Sequence, residues 1–199
     1  MNKISIALIG LITCTFLIAQ PTDIQAQTAQ EPVILTSCGQ SPGPVRLKIF
    51  MQRLKIDFEY NLQVTAADLT AAKEAGKPFK TLIIVTGASL KGMGAAGVSI
   101  DEELKRTKEL MAEAKKQGMT VVGSHIEGMA RRSQGAASDD SSDEQSIDAV
   151  CPNSDFMIVK KEGDSDGRFT TLSKGKNVPL IMFDLNTEIS DVLKKVFNK

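Results

Sequence analysis

The chain has 199 residues, 24 Lys and Arg against 24 Asp and Glu, and 42% hydrophobic residues. This length predicts one domain with appendages, and the apolar fraction excludes a wholly disordered chain. A net charge of zero, no Trp and one Tyr argue against a nucleic-acid partner, which needs a basic face and stacking aromatics; the single histidine, His125, excludes a His-rich metal centre.

The N-terminus reads as an address. Met1-Asn2-Lys3 is a short basic start, and the apolar run from Ile4 to Ala19 is shorter than the roughly 20 residues that span a bilayer. A polar stretch then reaches Ile24-Gln25-Ala26, with a small residue where a signal peptidase cuts. Residues 1–26 are therefore expected to be a cleaved export signal, which leaves no stable membrane span and a periplasmic or extracellular protein. The alternatives are an uncleaved anchor and lipidation at Cys14, although Thr13 is a poor residue before a lipidated cysteine. Residues 27–32 form a linker and residues 33–199 a single domain. That domain stays neutral, because Lys3 and Asp23 leave together, and it keeps Cys38 and Cys151 in a compartment where disulfides form.

Strands and helices alternate along the domain. Val33 to Leu35 is a short buried strand, and Gly39-Gln40-Ser41-Pro42 opens a helix with Leu47, Phe50, Met51 and Leu54 on one face. Phe58 to Leu62 is a second strand, followed by an Ala-rich helix over 65–75 that Gly76 stops. Thr81 to Val85 is continuously apolar after its first residue, as a central parallel strand must be. A glycine-rich loop follows. Ser99-Ile100-Asp101-Glu102 is a capping box for a helix running to Gln117 and closed by Gly118. Met119 to Ser124, Phe156 to Val159 and Leu180 to Phe183 are three more strands, and the last helix carries Ile189, Val192, Leu193, Val196 and Phe197 at helical spacing. Residues 133–146, rich in Ser and Asp, read as a solvated loop; the acidic cluster there lacks the alternating spacing of a calcium site.

This pattern predicts an α/β fold with a three-layer, mostly parallel six-stranded sheet, flavodoxin-like or Rossmann-like. Ligands of such sheets bind beyond the carboxyl ends of the strands, where strand order reverses. The two richest loops follow strands one and three and share a crevice only if those strands are neighbours. That favours order 2-1-3-4-5-6 over 3-2-1-4-5-6. The same topology puts Cys38 at the carboxyl edge and Cys151, just before the fifth strand, at the opposite edge, too far apart for a disulfide.

Three segments at that edge hold the candidate ligand-binding residues. In the first, Gly39 permits close backbone approach, and Gln40 and Ser41 lie at a helix N-terminus whose free N–H groups attract anions. The plainer alternative makes Ser41 an N-cap. In the second, Gly92, Gly94 and Gly97 spell G-x-G-x-x-G, but Gly87 to Lys91 separate them from the third strand. That is the wrong context for a dinucleotide fingerprint. What remains is a loop with Gly87, Ser89 and one cation, Lys91, suited to a carboxylate or phosphate; the alternative is a lysine in solvent. In the third, His125 at a strand end is a base, an anion donor or a packing residue. Of the adjacent Arg131 and Arg132, only one can face a shared pocket, and Arg131 is the candidate.

Thr36 to Ser41, Gly87 to Gly97 and His125 to Arg132 resemble a family of exported bacterial proteins catalogued only as a domain of unknown function. The resemblance covers roughly residues 33–197 and implies a signal peptide and one α/β domain, with no established activity or catalytic residues. The Ser/Asp-rich stretch 133–146 replaces a shorter glycine-containing link in that pattern. Two functions compete. A binding module for a small anionic molecule, with a transporter or another cell-envelope protein as its partner, explains export, neutral charge and the lack of a convincing nucleophile. A hydrolase would use Ser41 or Ser89 as nucleophile and His125 as base, with Glu127 or Asp184 orienting the imidazole. Neither serine lies in Gly-x-Ser-x-Gly. A flavin or nucleotide would have only the fold in its favour, and the sequence itself names no cofactor.

Overall fold

Three of the central strands owe their burial to sequences without a solvent face. Val33–Cys38 (β1) and Thr81–Thr86 (β3) are buried throughout, and Thr120–His125 (β4) is buried beyond its first residue. Phe156–Lys160 (β5), Leu180–Phe183 (β6) and the short Phe58–Tyr60 (β2) complete a six-stranded sheet. Every pairing is parallel and the order is β2-β1-β3-β4-β5-β6, as the loop argument predicts. The computed structural model describes residues 28–133 and 141–199, so the expected export signal lies outside the described residues. No helix among the described residues is long and apolar enough to cross a membrane.

Helices cover both faces of the sheet. Gly43–Arg53 (α1) and Ile189–Phe197 (α7) bury Leu47, Met51, Leu193 and Val196 against Leu35, Ile83, Val122 and Ile158. On the other face, Ala66–Glu74 (α2), Ile100–Lys116 (α4) and Ser142–Val150 (α5) set Leu69, Leu110, Met111 and Val150 against Ile34, Leu82, Ile84 and Val121. Arg168–Lys176 (α6) adds Phe169 beside Met157 and Val159. The capping box at Ser99 and Glu102 forms as expected, and a second one forms at Thr65 and Asp68.

Three sequence expectations need correction. The stretch after β3 is not an open loop: Leu90–Ala96 (α3) is a helix, capped by Ser89 Oγ on the Gly92 N–H and ended by Gly97 at φ +68. Leu90, Lys91, Met93, Ala95 and Ala96 are good helix formers, and burial of Met93 anchors them despite two glycines. The acidic stretch 133–146 is also helical in part, because Ser141 caps α5 and Asp143 and Glu144 lie in its first turn; residues 134–140 lie outside the described residues. Cys38 and Cys151 are both free and buried, as expected, but not because opposite edges separate them. A Cβ on Gly123 would meet Cys151 Cα at 3.3 Å, so Cys151 packs over the middle of β4. Burial pushes both thiols well up from their ordinary values.

Candidate functional site at the carboxyl edge of the sheet

The segments after β1 and β3 meet at the switch point and close on each other. The Ser89 N–H donates to Gly39 O at 2.7 Å, and Gln40 and Ala88 form an antiparallel bridge. Gly39 has φ +99, and a Cβ there would stand 2.7 Å from Gly87 O and 2.8 Å from Ala88 Cα. Any side chain would force the loops apart. A Cβ on Gly92 would collide with Gln40 O. These glycines do mark a close backbone approach, and what approaches is the neighbouring loop. Gly94 borders open space, and Lys91 is exposed with no ion pair among the described residues.

The backbone donors at this edge are met by the chain's own side chains. Glu103 of α4 accepts the Gly39 N–H at 2.9 Å, Asp143 of α5 accepts the Ala88 N–H at 2.6 Å, and Ser146 Oγ accepts the Gly87 N–H at 2.9 Å. At the start of α1, the Gly43 N–H is shared between Ser41 Oγ at 3.3 Å and Glu127 Oε2 at 3.1 Å. Ser41 is buried, and Pro42 rather than Ser41 occupies the N-cap position. Gln40, at φ +57, donates its Nε2 to Leu62 O at 3.0 Å. An anion thus sits where the sequence offers helix-end and loop N–H groups, and it is a carboxylate of this protein.

Arginines compensate those carboxylates. Arg106 pairs with Glu103 at 2.9 Å and donates to Ser37 O at 2.6 Å. Arg131 donates to Ala88 O at 2.8 Å and lies 3.7 Å from Glu127. The Arg132 side chain, 1% exposed, pairs with Glu144 at 2.6 Å and with Asp166 at 2.6 Å, and also reaches Gly163 O. Its hydrogen bond holds Asp166 below the usual carboxylate range. Burial pushes Asp143 up, while the Ala88 N–H and Arg131 pull it partly back. Glu103 plays no part in the motifs that stand out in the sequence, its i,i+3 spacing with Arg106 being its one local signal, and Asp143 and Glu144 stand out only as part of the acidic cluster in 133–146, which does not show what they accept from.

His125 is fully buried. Its Nε2 lies 3.0 Å from Gly128 O, an acceptor only, so that nitrogen carries the proton. Nδ1 lies 3.1 Å from Thr86 Oγ1, whose one hydroxyl proton also has Ser124 O at 3.2 Å as an acceptor. Phe169 packs at 5.0 Å between ring centroids, and the Arg132 guanidinium lies 5.5 Å from the Phe169 ring on its way to Asp166. Burial, opposed by the bond to Gly128 and aided by the Arg132 charge, pushes the imidazole down to about 4. Both ring nitrogens are committed within the fold, and no hydrogen bond joins Ser41 or Ser89 to His125 among the described residues.

An open cleft lies farther along the same edge, between α1 and the start of α7. It encloses about 230 Å³, with Ile49, Phe50, Ile126 and Ile189 as an apolar lining and Arg46, Arg53 and Asn186 around them. Arg53 lies 5.8 Å from the Phe50 ring. Neither arginine has a carboxylate partner among the described residues. The signal for this cleft is present in the sequence, since Arg46, Ile49, Phe50 and Arg53 fall at i, i+3, i+4 and i+7 on one helix face.

Fold and loops together define a doubly wound parallel α/β domain whose switch point is sealed by its own side chains. Within that class, the chain belongs to the family described as a domain of unknown function (DUF6305), whose model matches residues 30–197, in accord with the family resemblance. No curated protein matches the chain. Among solved structures it is similar to a protein described as a lipolytic member of the G-D-S-L family from Desulfitobacterium hafniense, at 14% identity and a TM-score of 0.34, covering 78% of this chain and 77% of that one. A GDP-L-fucose synthetase from Naegleria fowleri bound to NADP matches at 11% identity and a TM-score of 0.36, over 83% of this chain and 53% of that one. The psychrotrophic esterase EstA from Pseudoalteromonas matches at 10% identity and a TM-score of 0.33, over 83% of this chain and 94% of that one.

Proposed function

We propose that the protein is an exported binding module for a small amphipathic organic anion, held in the cleft between α1 and α7. The observation that carries this reading is the pairing of an apolar cleft with two arginines that lack carboxylate partners, Arg46 and Arg53. Elsewhere along the edge the arginines near the sheet are consumed by Glu103, Glu127, Glu144 and Asp166. A guanidinium is the donor best matched to a carboxylate. The cleft, at about 230 Å³, is smaller than the roughly 300–1,000 Å³ of pockets for drug-sized ligands, which favours a short acid with one apolar end. Among the described residues neither Ser41 nor Ser89 hydrogen-bonds to His125, which disfavours the hydrolase alternative.

Calorimetric titration with short straight-chain monocarboxylates, from butyrate to octanoate, and with benzoate tests the reading. At least one of them should bind, and Arg46→Ala should weaken it by about 1.5–3 kcal/mol, the scale of a hydrogen bond to a charged group. Failure of every acid to bind, or unchanged affinity in Arg46→Ala, would overturn it.

A further inference from the structure

α4 and α5 lie side by side on the face of the sheet opposite α1 and α7, and an open groove of about 800 Å³ runs between them. Its floor is apolar. Leu104 and Ala149 pack against the core with one side and leave the other bare, and Met111 and Ala112 continue the floor along α4. The size falls within the roughly 300–1,000 Å³ of small-ligand sites.

The charge left open on its walls has one sign. Lys105, Lys108 and Lys115 all stand exposed on the α4 wall. Among the described residues Lys105 and Lys108 have no ion pair or hydrogen bond, and Lys115 donates only to the neutral Asn153 O, at 2.6 Å. Asp101 and Glu109, one turn to either side of Lys105, pair with none of the three. The acid on the α5 wall, Asp148, is engaged by the Arg168 guanidinium at 2.6 Å. Three ammonium groups without a carboxylate, above an apolar floor, complement an anion with an apolar body. The bare apolar surface is confined to the groove, because the exposed large apolar side chains among the described residues, Val45, Ile49, Leu90 and Leu185, lie elsewhere. A protein partner would need anchors beyond the lip, whereas a single acyl chain needs only the floor.

We propose that the α4–α5 groove is a second binding site, for a medium-chain fatty acid. Lys105 and Lys108 lie one turn apart and hold the carboxylate between them. Lys115 stands about 15 Å farther along α4 than Lys105, at 1.5 Å per residue, and the acyl chain covers the floor between these ends, over Met111, Ala112 and Ala149. Burial of its methylene groups supplies affinity, and the lysine pair sets its direction. The site does not depend on the α1–α7 cleft, whose short acids would cover too little of this floor.

Titration of the 15N-labelled protein with decanoate is the test. Saturable amide shifts should gather at Lys108, Met111, Ala112 and Ala149. The double variant Lys105→Ala with Lys108→Ala should bind decanoate at least roughly tenfold more weakly, the scale of one lost hydrogen bond to a charged group. Decan-1-ol, with the same chain and no charge, should bind the unaltered protein more weakly by a similar factor. Ala112→Glu should also weaken decanoate, by setting a like charge beside it. All three positions are exposed on α4, and circular dichroism checks that the variants remain folded. Decan-1-ol binding as tightly as decanoate, an affinity unchanged in the double variant, or shifts that avoid α4 and α5 would each overturn the proposal.

Discussion

The carboxyl edge of the sheet contains two regions that treat charge in opposite ways. Over β1 and β3, every motif that advertises an anion site is present, yet Glu103, Asp143 and Glu127 already accept from Gly39, Ala88 and Gly43, and Arg106, Arg131 and Arg132 secure the carboxylates around them. Between α1 and α7 there is no glycine motif, but an apolar cleft with two arginines that no described carboxylate engages. Glycines and free N–H groups state that something negative comes close. They do not state whether it belongs to the protein or to a ligand.

The comparison breaks most sharply at Arg132. Its side chain is 1% exposed between Glu144 and Asp166, and its removal leaves buried Glu144 with Arg168 alone, at 2.8 Å, in place of two arginines. Arg132→Met should therefore cost about 3–5 kcal/mol in urea unfolding. A loss below about 1 kcal/mol, typical of a surface change, would mean that loop packing and not charge closes the region.

His125 gives the next effect. Its folded value, near 4, lies below its ordinary 6.5, so the unfolded chain binds the extra proton between those values. Stability from this residue is complete above about pH 6.5 and is lost as the pH falls toward 4, by about 2 kcal/mol near pH 5. Urea unfolding of wild type and His125→Asn at about pH 7 and about pH 5 isolates the slope, because most carboxylates are still ionised in that window. An equal slope in the variant would show that the imidazole is not held neutral.

Glu127 separates the two regions with a smaller effect. Glu127→Ala leaves the Gly43 N–H with only Ser41 Oγ and Arg131 with Ala88 O but without its nearest carboxylate, which should cost about 1–3 kcal/mol of stability. Acid binding in the α1–α7 cleft should be unchanged. Tighter acid binding in Glu127→Ala would instead mean that the ligand enters where the carboxylate was.

Strand order was legible because β1, β3 and β4 have no polar face and because two rich loops needed neighbouring strands. Helix ends marked by Ser99 with Glu102, or by Gly118, were equally legible, since a cap is a local event. What escaped was set by contacts remote in sequence. Gly39 meets Glu103 across 64 positions and Gly43 meets Glu127 across 84, and no local pattern shows which acid fills which donor. α3 was hidden because Gly92 and Gly94 weigh against a helix that buried Met93 holds in place. Cys151 was misplaced because the helix before it, α5, starts inside a stretch that reads as loop.

The central claim is that a ligand anion goes to the α1–α7 cleft while the switch point stays closed. Nuclear magnetic resonance of the 15N-labelled protein titrated with hexanoate tests it directly. Amide shifts should concentrate at Phe50, Ile126, Asn186 and Ile189, with Gly39, Gly87 and Ser89 unmoved. Shifts concentrated at Gly39, Gly87, Ser89 and Gly92 would contradict it.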